Sequence, residues 1–211
     1  MTQQTSDVQI QKLSLPPFDN NCYLLICPET RESIIIDAPS SPDQIVAAAQ
    51  GTTVRYIIVT HRHGDHWGAL ADLKAATGAP VAYHPAEAEA IPVPPDVPLL
   101  DGEDLAFGRQ QARVIHTPGH TPGSICLVLG GVLVSGDTLF PGGPGRSRTP
   151  ADLQQIIQSL TEKLFALPDA TKLLPGHGMD GVLGEEKRAY AAYAARPHPA
   201  DLHGDVLWAA S

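Results

Sequence analysis

The sequence predicts an α/β fold in which two sheets pack face to face with helices outside them, a four-layer αββα sandwich. Three observations carry that expectation. Strand-like apolar runs fall into two groups, separated by the proline-rich stretch AIPVPPDVPLLDGED at residues 90–104. Helical stretches lie between and after the strands rather than in a block of their own. The run VRYIIV is apolar nearly throughout, the pattern of a strand covered on both faces.

The first forty residues read as three strands, VQIQKLSL, NCYLLIC and SIIIDA, separated by the turn-forming PPFDNN and PETRE. Ser41 and Pro42 supply an N-cap and a first helical position for a short helix through Ile45, Val46 and Ala49. VRYIIVT follows as a strand, WGALADLKAATG as a helix closed by Gly78, and PVAYH as a further strand. Residues 90–104 are too rich in proline for regular structure and read as a surface connection. LAFG, ARVIHT, SICLVLG and GVLVSGD return to strand character, so the second half echoes the first. The clearest helix is expected over Pro150 to Leu167. Thr149 can cap it, Asp152 sits three residues on, and Leu153, Ile156, Ile157, Leu160 and Leu164 share one face. TKLLPG reads as a last strand and GEEKRAYAAYAA as a last helix.

At 211 residues the chain suits one domain over its whole length, closed by a short C-terminal helix and tail. The 23 acidic residues exceed the 14 basic ones, for a formal net charge of −9, and the basic residues are scattered. That balance argues against a nucleic acid or an anionic membrane surface as partner. The N-terminus carries no basic segment followed by an apolar one, and no apolar stretch is long enough to span a bilayer, so a cytoplasmic location is expected. Cys22, Cys27 and Cys126 lie in or at the ends of strand-like runs without CxxC spacing, and read as buried free thiols.

Chemistry concentrates at the ends of predicted strands. The stretch HRHGDH holds His61, His63, Asp65 and His66. TPGHTPG adds His120, SGDTLF adds Asp137 and LLPGHG adds His177. Each segment contains or adjoins glycine, which lets backbone turn tightly beside a bound ion. Nitrogen and carboxylate donors without cysteine suit Zn²⁺ first, with Fe or Mn²⁺ compatible, and seven such groups exceed what one tetrahedral ion can use. Two divalent metal ions are therefore expected. His84, His116, His198 and His203 read as ordinary surface histidines.

The HxHxDH motif followed in order by His120, Asp137 and His177 resembles the metallo-β-lactamase superfamily, from the IIID strand to PGHG. The resemblance implies that fold type, with His61, His63 and His120 holding one metal, Asp65, His66 and His177 the other, and Asp137 bridging them. It also implies that Asp37, which ends SIIIDA, orients a ligand from behind. SGDTLFPGGPGR followed by a helix, LLPGHG and GEEK is similar to the compact hydrolases related to glyoxalase II. The implied reaction is hydrolysis of a thioester or ester of a small molecule, by hydroxide generated at the metals and oriented by Asp65 and Asp137. No GxSxG motif and no cysteine beside these histidines offers a covalent nucleophile. Arg146 and Arg148, in the glycine-rich loop after Asp137, are candidates for pairing with a substrate carboxylate.

The residues after GEEK leave one good helix where glyoxalase II proper has a helical domain that grips glutathione, so glutathione itself is not implied. Two other chemistries stay open. Persulfide dioxygenases have a similar pattern but use one iron at the positions of His61, His120 and Asp137, although their GCGRTDF-like loop is missing here. Lactonases use the same dinuclear site. A true β-lactamase is disfavoured because those enzymes are normally exported.

Overall fold

A computed structural model describes residues 8–209. The first sheet has the order β1 (Gln9–Leu15), β2 (Asn20–Ile26), β3 (Glu32–Ile36), β4 (Thr53–Ile58), β5 (Val81–Tyr83) and β6 (Val97–Pro98). Its first three strands form an antiparallel meander and its last three are added parallel. The second sheet runs β14 (Gly181–Val182), β13 (Lys172–Pro175), β10 (Val132–Gly136), β9 (Ile125–Leu129), β8 (Gln110–His116) and β7 (Asp104–Phe107), with only β10 and β13 parallel. A small ribbon pairs β11 (Leu139–Phe140) with β12 (Gly143–Pro144). The helices are α1 (Pro42–Ala48), α2 (Leu70–Thr77), α3 (Pro150–Glu162) and α4 (Leu183–Ala194).

Alternation along the strands sorts the side chains into three apolar layers. Ile34 and Ile36 point between the sheets, where Tyr23, Leu25 and Ile58 meet Phe107, Val114, Leu127 and Val134. Ile35 points the other way, into a layer with Leu24, Ile57, Ile45 of α1 and Leu70 and Leu73 of α2. Behind the second sheet, Cys126, Leu133 and Leu173 pack on Leu153, Ile156 and Leu160 of α3 and on Leu183 and Tyr193 of α4. Three layers of side chains between four layers of backbone make the αββα sandwich. All three cysteines are free and buried. Among the described residues no helix is long and apolar enough to cross a membrane.

Local differences from the sequence reading have physical causes. Ser41 occupies the N-cap position of α1 but takes φ 54° and its side chain makes no capping bond, so Pro42 sets that helix start instead. Only Ile57 and Ile58, the last two residues of β4, are buried. Thr53 and Arg55 are exposed because β5 pairs with Ile57 and Ile58 alone. Trp67 lies in a turn, and α2 begins at Leu70. Within the proline-rich connection, Val97 and Pro98 still add an edge strand to β5, a place where a missing N–H is tolerated. The helix expected to reach Leu167 breaks at Lys163, and Leu164–Ala166 form a separate 3₁₀ turn.

At the start of α3 the Thr149 hydroxyl accepts from the Asp152 N–H, and the Asp152 carboxylate accepts from the Thr149 N–H, a complete capping box. Thr149→Ala is expected to lower stability by about 1 kcal/mol. Urea unfolding measures it, and an unshifted midpoint would show that packing of the apolar face alone starts the helix.

Candidate metal centre

Strands of both sheets deliver their C-terminal ends to one place. β4 runs into His61 and His63, and the 3₁₀ turn Gly64–His66 brings round Asp65 and His66. From the second sheet, β8 leads through Thr117 to His120, β10 ends at Gly136 beside Asp137, and β13 ends at Pro175 just before His177. Gly176 separates that strand from its histidine. A Cβ at Gly176 would collide with the Asp137 carboxylate and come within 2.8 Å of the His66 ring, so only glycine lets the backbone pass so close.

Seven side chains converge in two groups, His61, His63 and His120 and Asp65, His66 and His177, linked by a third made of His61, His66 and Asp137. His63 Nδ1 lies 3.0 Å from His61 Nε2 and 2.9 Å from His120 Nε2. In the other group His66 Nε2 is 3.0 Å from His177 Nε2, and Asp65 Oδ2 is 3.7 and 3.4 Å from those two nitrogens. Asp137 stands between the groups. Its Oδ2 is 3.9 Å from His61 Nε2, 3.6 Å from His120 Nε2 and 3.4 Å from His177 Nε2, while Oδ1 is 3.5 Å from His66 Nε2.

The outward nitrogens show what the inward ones are available for. His66 Nδ1 lies 2.8 Å from Asp37 Oδ2, His120 Nδ1 2.8 Å from the Arg146 carbonyl and His177 Nδ1 2.9 Å from the Phe18 carbonyl. His61 Nδ1 lies 3.1 Å from Thr60 Oγ1, whose own proton goes to Asp37 Oδ2 at 2.9 Å. Each of these rings donates its Nδ1–H outward, and in its neutral form turns the Nε2 lone pair inward, as a ligand through Nε2 does. Lone pairs facing one another at about 3 Å repel unless a proton or a cation lies between them. Asp137 Oδ1 is buried with no hydrogen-bond partner among the described residues. The donor set therefore fits divalent cations in both groups.

The protein's own charges reinforce that fit. Burial, helped by the neighbouring His66, holds the His61 pKa well below that of an ordinary histidine. Burial and His120 bring His63 down to about 4, and burial lowers His120. These three imidazoles are neutral, ready to give lone pairs. Burial opposes charge on Asp137 as well, yet His66 and His61 keep its pKa well below the usual carboxylate range. His66 and His177 go the other way. Burial works against their protonation, but Asp137, with Asp37 behind His66, raises both, so this half of the centre favours positive charge.

Asp37 follows β3 directly and takes φ 60°, a region that few residues other than glycine occupy. Its carboxylate accepts from the Thr60 N–H at 2.8 Å, the Thr60 hydroxyl and His66, which ties the end of the first sheet to two of the converging rings. Three further contributors were read as turn or surface residues, or not singled out, in the sequence. Asn20, the first residue of β2, donates from Nδ2 to the Asp65 carbonyl at 2.9 Å and to Asp65 Oδ2 at 3.0 Å. Glu87, buried, accepts from the Thr121 hydroxyl at 2.7 Å and from the Gly123 N–H, bracing the loop that carries His120. His203 joins Arg146, Ser147 and Arg148 in the wall of a cleft of about 470 Å³ that opens at His63 and His120. Its chain segment is held there by backbone bonds of 3.1 Å in both directions between Ser147 and Gly204. The DNN turn and the lone buried glutamate had no spacing that marked them. Their roles arise from contacts 34–45 residues apart in the chain.

Comparison with known proteins agrees with this architecture. The sequence profile of the metallo-beta-lactamase superfamily matches residues 15–177, and the chain belongs to that superfamily. It is 39% identical over 163 residues to a hydroxyacylglutathione hydrolase of Rhodospirillum rubrum, covering 75% of this chain and 62% of that protein. Among solved structures, ETHE1 from Myxococcus xanthus superposes with a TM-score of 0.79 at 28% identity, over 90% of this chain and 86% of that one. TTHA1623, crystallised in a di-iron-bound form, superposes with a TM-score of 0.73 at 36% identity, over 84% of this chain and 97% of that one. The chain spans about six tenths of the length of the hydroxyacylglutathione hydrolases it matches.

Asp37→Asn keeps the backbone conformation, since asparagine tolerates positive φ, but removes the charge behind His66. Metal affinity of the His66 group is expected to fall about 10- to 100-fold. Competition with a chelator of known affinity measures it, and an unchanged constant would reduce Asp37 to a brace between strands.

Proposed function

We propose that the protein is a metal-dependent hydrolase that cleaves the acyl bond of a small-molecule thioester or ester, similar to hydroxyacylglutathione hydrolase. The observation that carries this reading is the pair of donor groups joined by Asp137, with the outward nitrogens of four of the five rings anchored. His61, His63 and His120 would hold one divalent ion, Asp65, His66 and His177 the other, and Asp137 would touch both. Zn²⁺ suits this donor set best. The di-iron form of TTHA1623 makes iron the alternative to test. When bound, two such ions supply hydroxide near neutral pH and polarise the scissile carbonyl.

The chain's own residues do the rest. Asp65 and Asp137 accept hydrogen bonds from the attacking water and fix its direction. Asp65, with its side chain 24% exposed against 11% for Asp137, is the more exposed carboxylate of the pair. Water is the nucleophile, because all three cysteines are buried in the apolar layers. Arg146 and Arg148 stand exposed in the cleft wall, where an anionic arm of the substrate can pair with them.

Asp137→Ala is expected to remove at least about 99% of thioester turnover while circular dichroism stays that of the native fold. Two retained metals with unchanged turnover would show that Asp137 does not bridge. His66→Ala and His177→Ala separate this reading from a single-iron oxygenase built on His61, His120 and Asp137. Loss of one metal equivalent with at least about a hundredfold fall in thioester hydrolysis supports the hydrolase. One iron retained with undiminished oxygen consumption on a persulfide would overturn it.

A further inference from the structure

The cleft has two chemically different ends. The end beside His63 and His120 is walled by Arg146, Arg148 and His203. Beyond His177 lies a second groove of about 460 Å³, lined by Phe18, Phe140, Pro141 and Met179, with Asp19 as its one carboxylate. Phe18 is 68% exposed and Met179 81% exposed, two of the five large apolar side chains that the described surface leaves open. Scattered apolar side chains on a surface need no explanation, but these two share one groove with the Phe140 ring, whose centroid is 6.2 Å from that of His177. A third depression, which also holds Asp205, shares Phe140 and Pro141 with this groove and Arg146 with the basic end, so it joins the two along one wall.

A carbonyl carbon carries two arms about 120° apart. With the carbonyl at the centre, an arm that leaves toward Arg146 and Arg148 sends the other toward His177 and the groove behind it. Asp19 repels a second carboxylate there, and the aromatic and thioether side chains reward burial of hydrocarbon. We propose that this groove is the acyl-arm subsite of the enzyme, taking an uncharged apolar acyl chain of several carbons, while the anionic leaving-group arm lies at the basic end. The N-terminal turn has a double part in it. The Phe18 carbonyl orients His177, and the Phe18 side chain walls the subsite, so the length of the acyl group is read by the same turn that positions a metal-ligand candidate.

This inference rests on the hydrolase reading, and a binding experiment on the metal-loaded full chain keeps the two apart. The probes are straight-chain alkyl hydroxamates from acetohydroxamate to octanohydroxamate, whose head group chelates divalent metal and whose tail takes the place of the acyl arm. Calorimetry should show Kd falling about twofold per added methylene, the effect of covering about half of each methylene's surface, or about sixtyfold across the series. Met179→Ala and Phe18→Ala should cut that span to less than about tenfold. Tight acetohydroxamate binding with no dependence on tail length, or a span unchanged in both variants, would overturn the subsite and leave the hydrolase reading intact. A flat series together with a dimer that Met179→Glu dissociates would assign the groove to a second copy of the chain instead. A chain that takes up metal but binds no hydroxamate at all would overturn the dinuclear reading and the subsite with it.

Discussion

Everything around the cleft answers to one electrostatic constraint. Five imidazoles and two carboxylates are drawn together until their donor atoms lie 2.9–3.9 Å apart. Taking such groups out of water costs several kcal/mol for each charge, and lone pairs turned toward each other add repulsion. Such a cluster persists only if rigid structure holds each group and positive charge balances it. The fold supplies the first through hydrogen bonds to the outward nitrogens. Divalent cations fit the second.

That constraint explains why donors come from both sheets. A single strand end offers one or two side chains at short range, as His61 and His63 do after β4. To surround a pair of ions, the remaining groups must arrive from other directions. β8, β10 and β13 of the opposite sheet deliver His120, Asp137 and His177 across the gap that the central apolar layer closes. The layer of Tyr23, Ile36, Ile58, Phe107 and Leu174 is thus also the hinge pin of the site, because it fixes the distance between the two groups of strand ends.

The supports are as specific as the donors. Asp37 ties His66 to Thr60, Glu87 grips the loop of His120, and Asn20 holds Asp65 by both backbone and side chain. Substitution at any of them acts through geometry, which is why metal affinity, rather than turnover alone, is the quantity that reports on them. The cleft above is unsymmetrical, basic beside His120 and apolar beside His177, and that asymmetry gives a direction to any substrate with two unlike arms.

By itself the sequence determined the parts whose logic is local. Short apolar runs bounded by turn residues, SIIID and NCYLLIC among them, mark strands, the Thr149–Asp152 pair marks a helix start, and histidines and aspartates beside glycine at strand ends mark donors, because each pattern is written within a few neighbouring residues. The order HxHxDH, His120, Asp137, His177 was legible for the same reason. Apart from Asp37, Arg146 and Arg148, tertiary structure alone decided which groups stand behind the donors and what lines the cleft. Asn20 meets Asp65 across 45 residues, and the Arg146 carbonyl meets His120 across 26. His203 reaches the basic wall because Gly204 pairs with Ser147, and Phe18 joins Met179 because the turn after β1 lies against the end of β13. No local pattern encodes such meetings. They follow from the packing of two sheets over one apolar layer, which brings distant loops to the same edge and leaves each side chain to find the partner that packing provides.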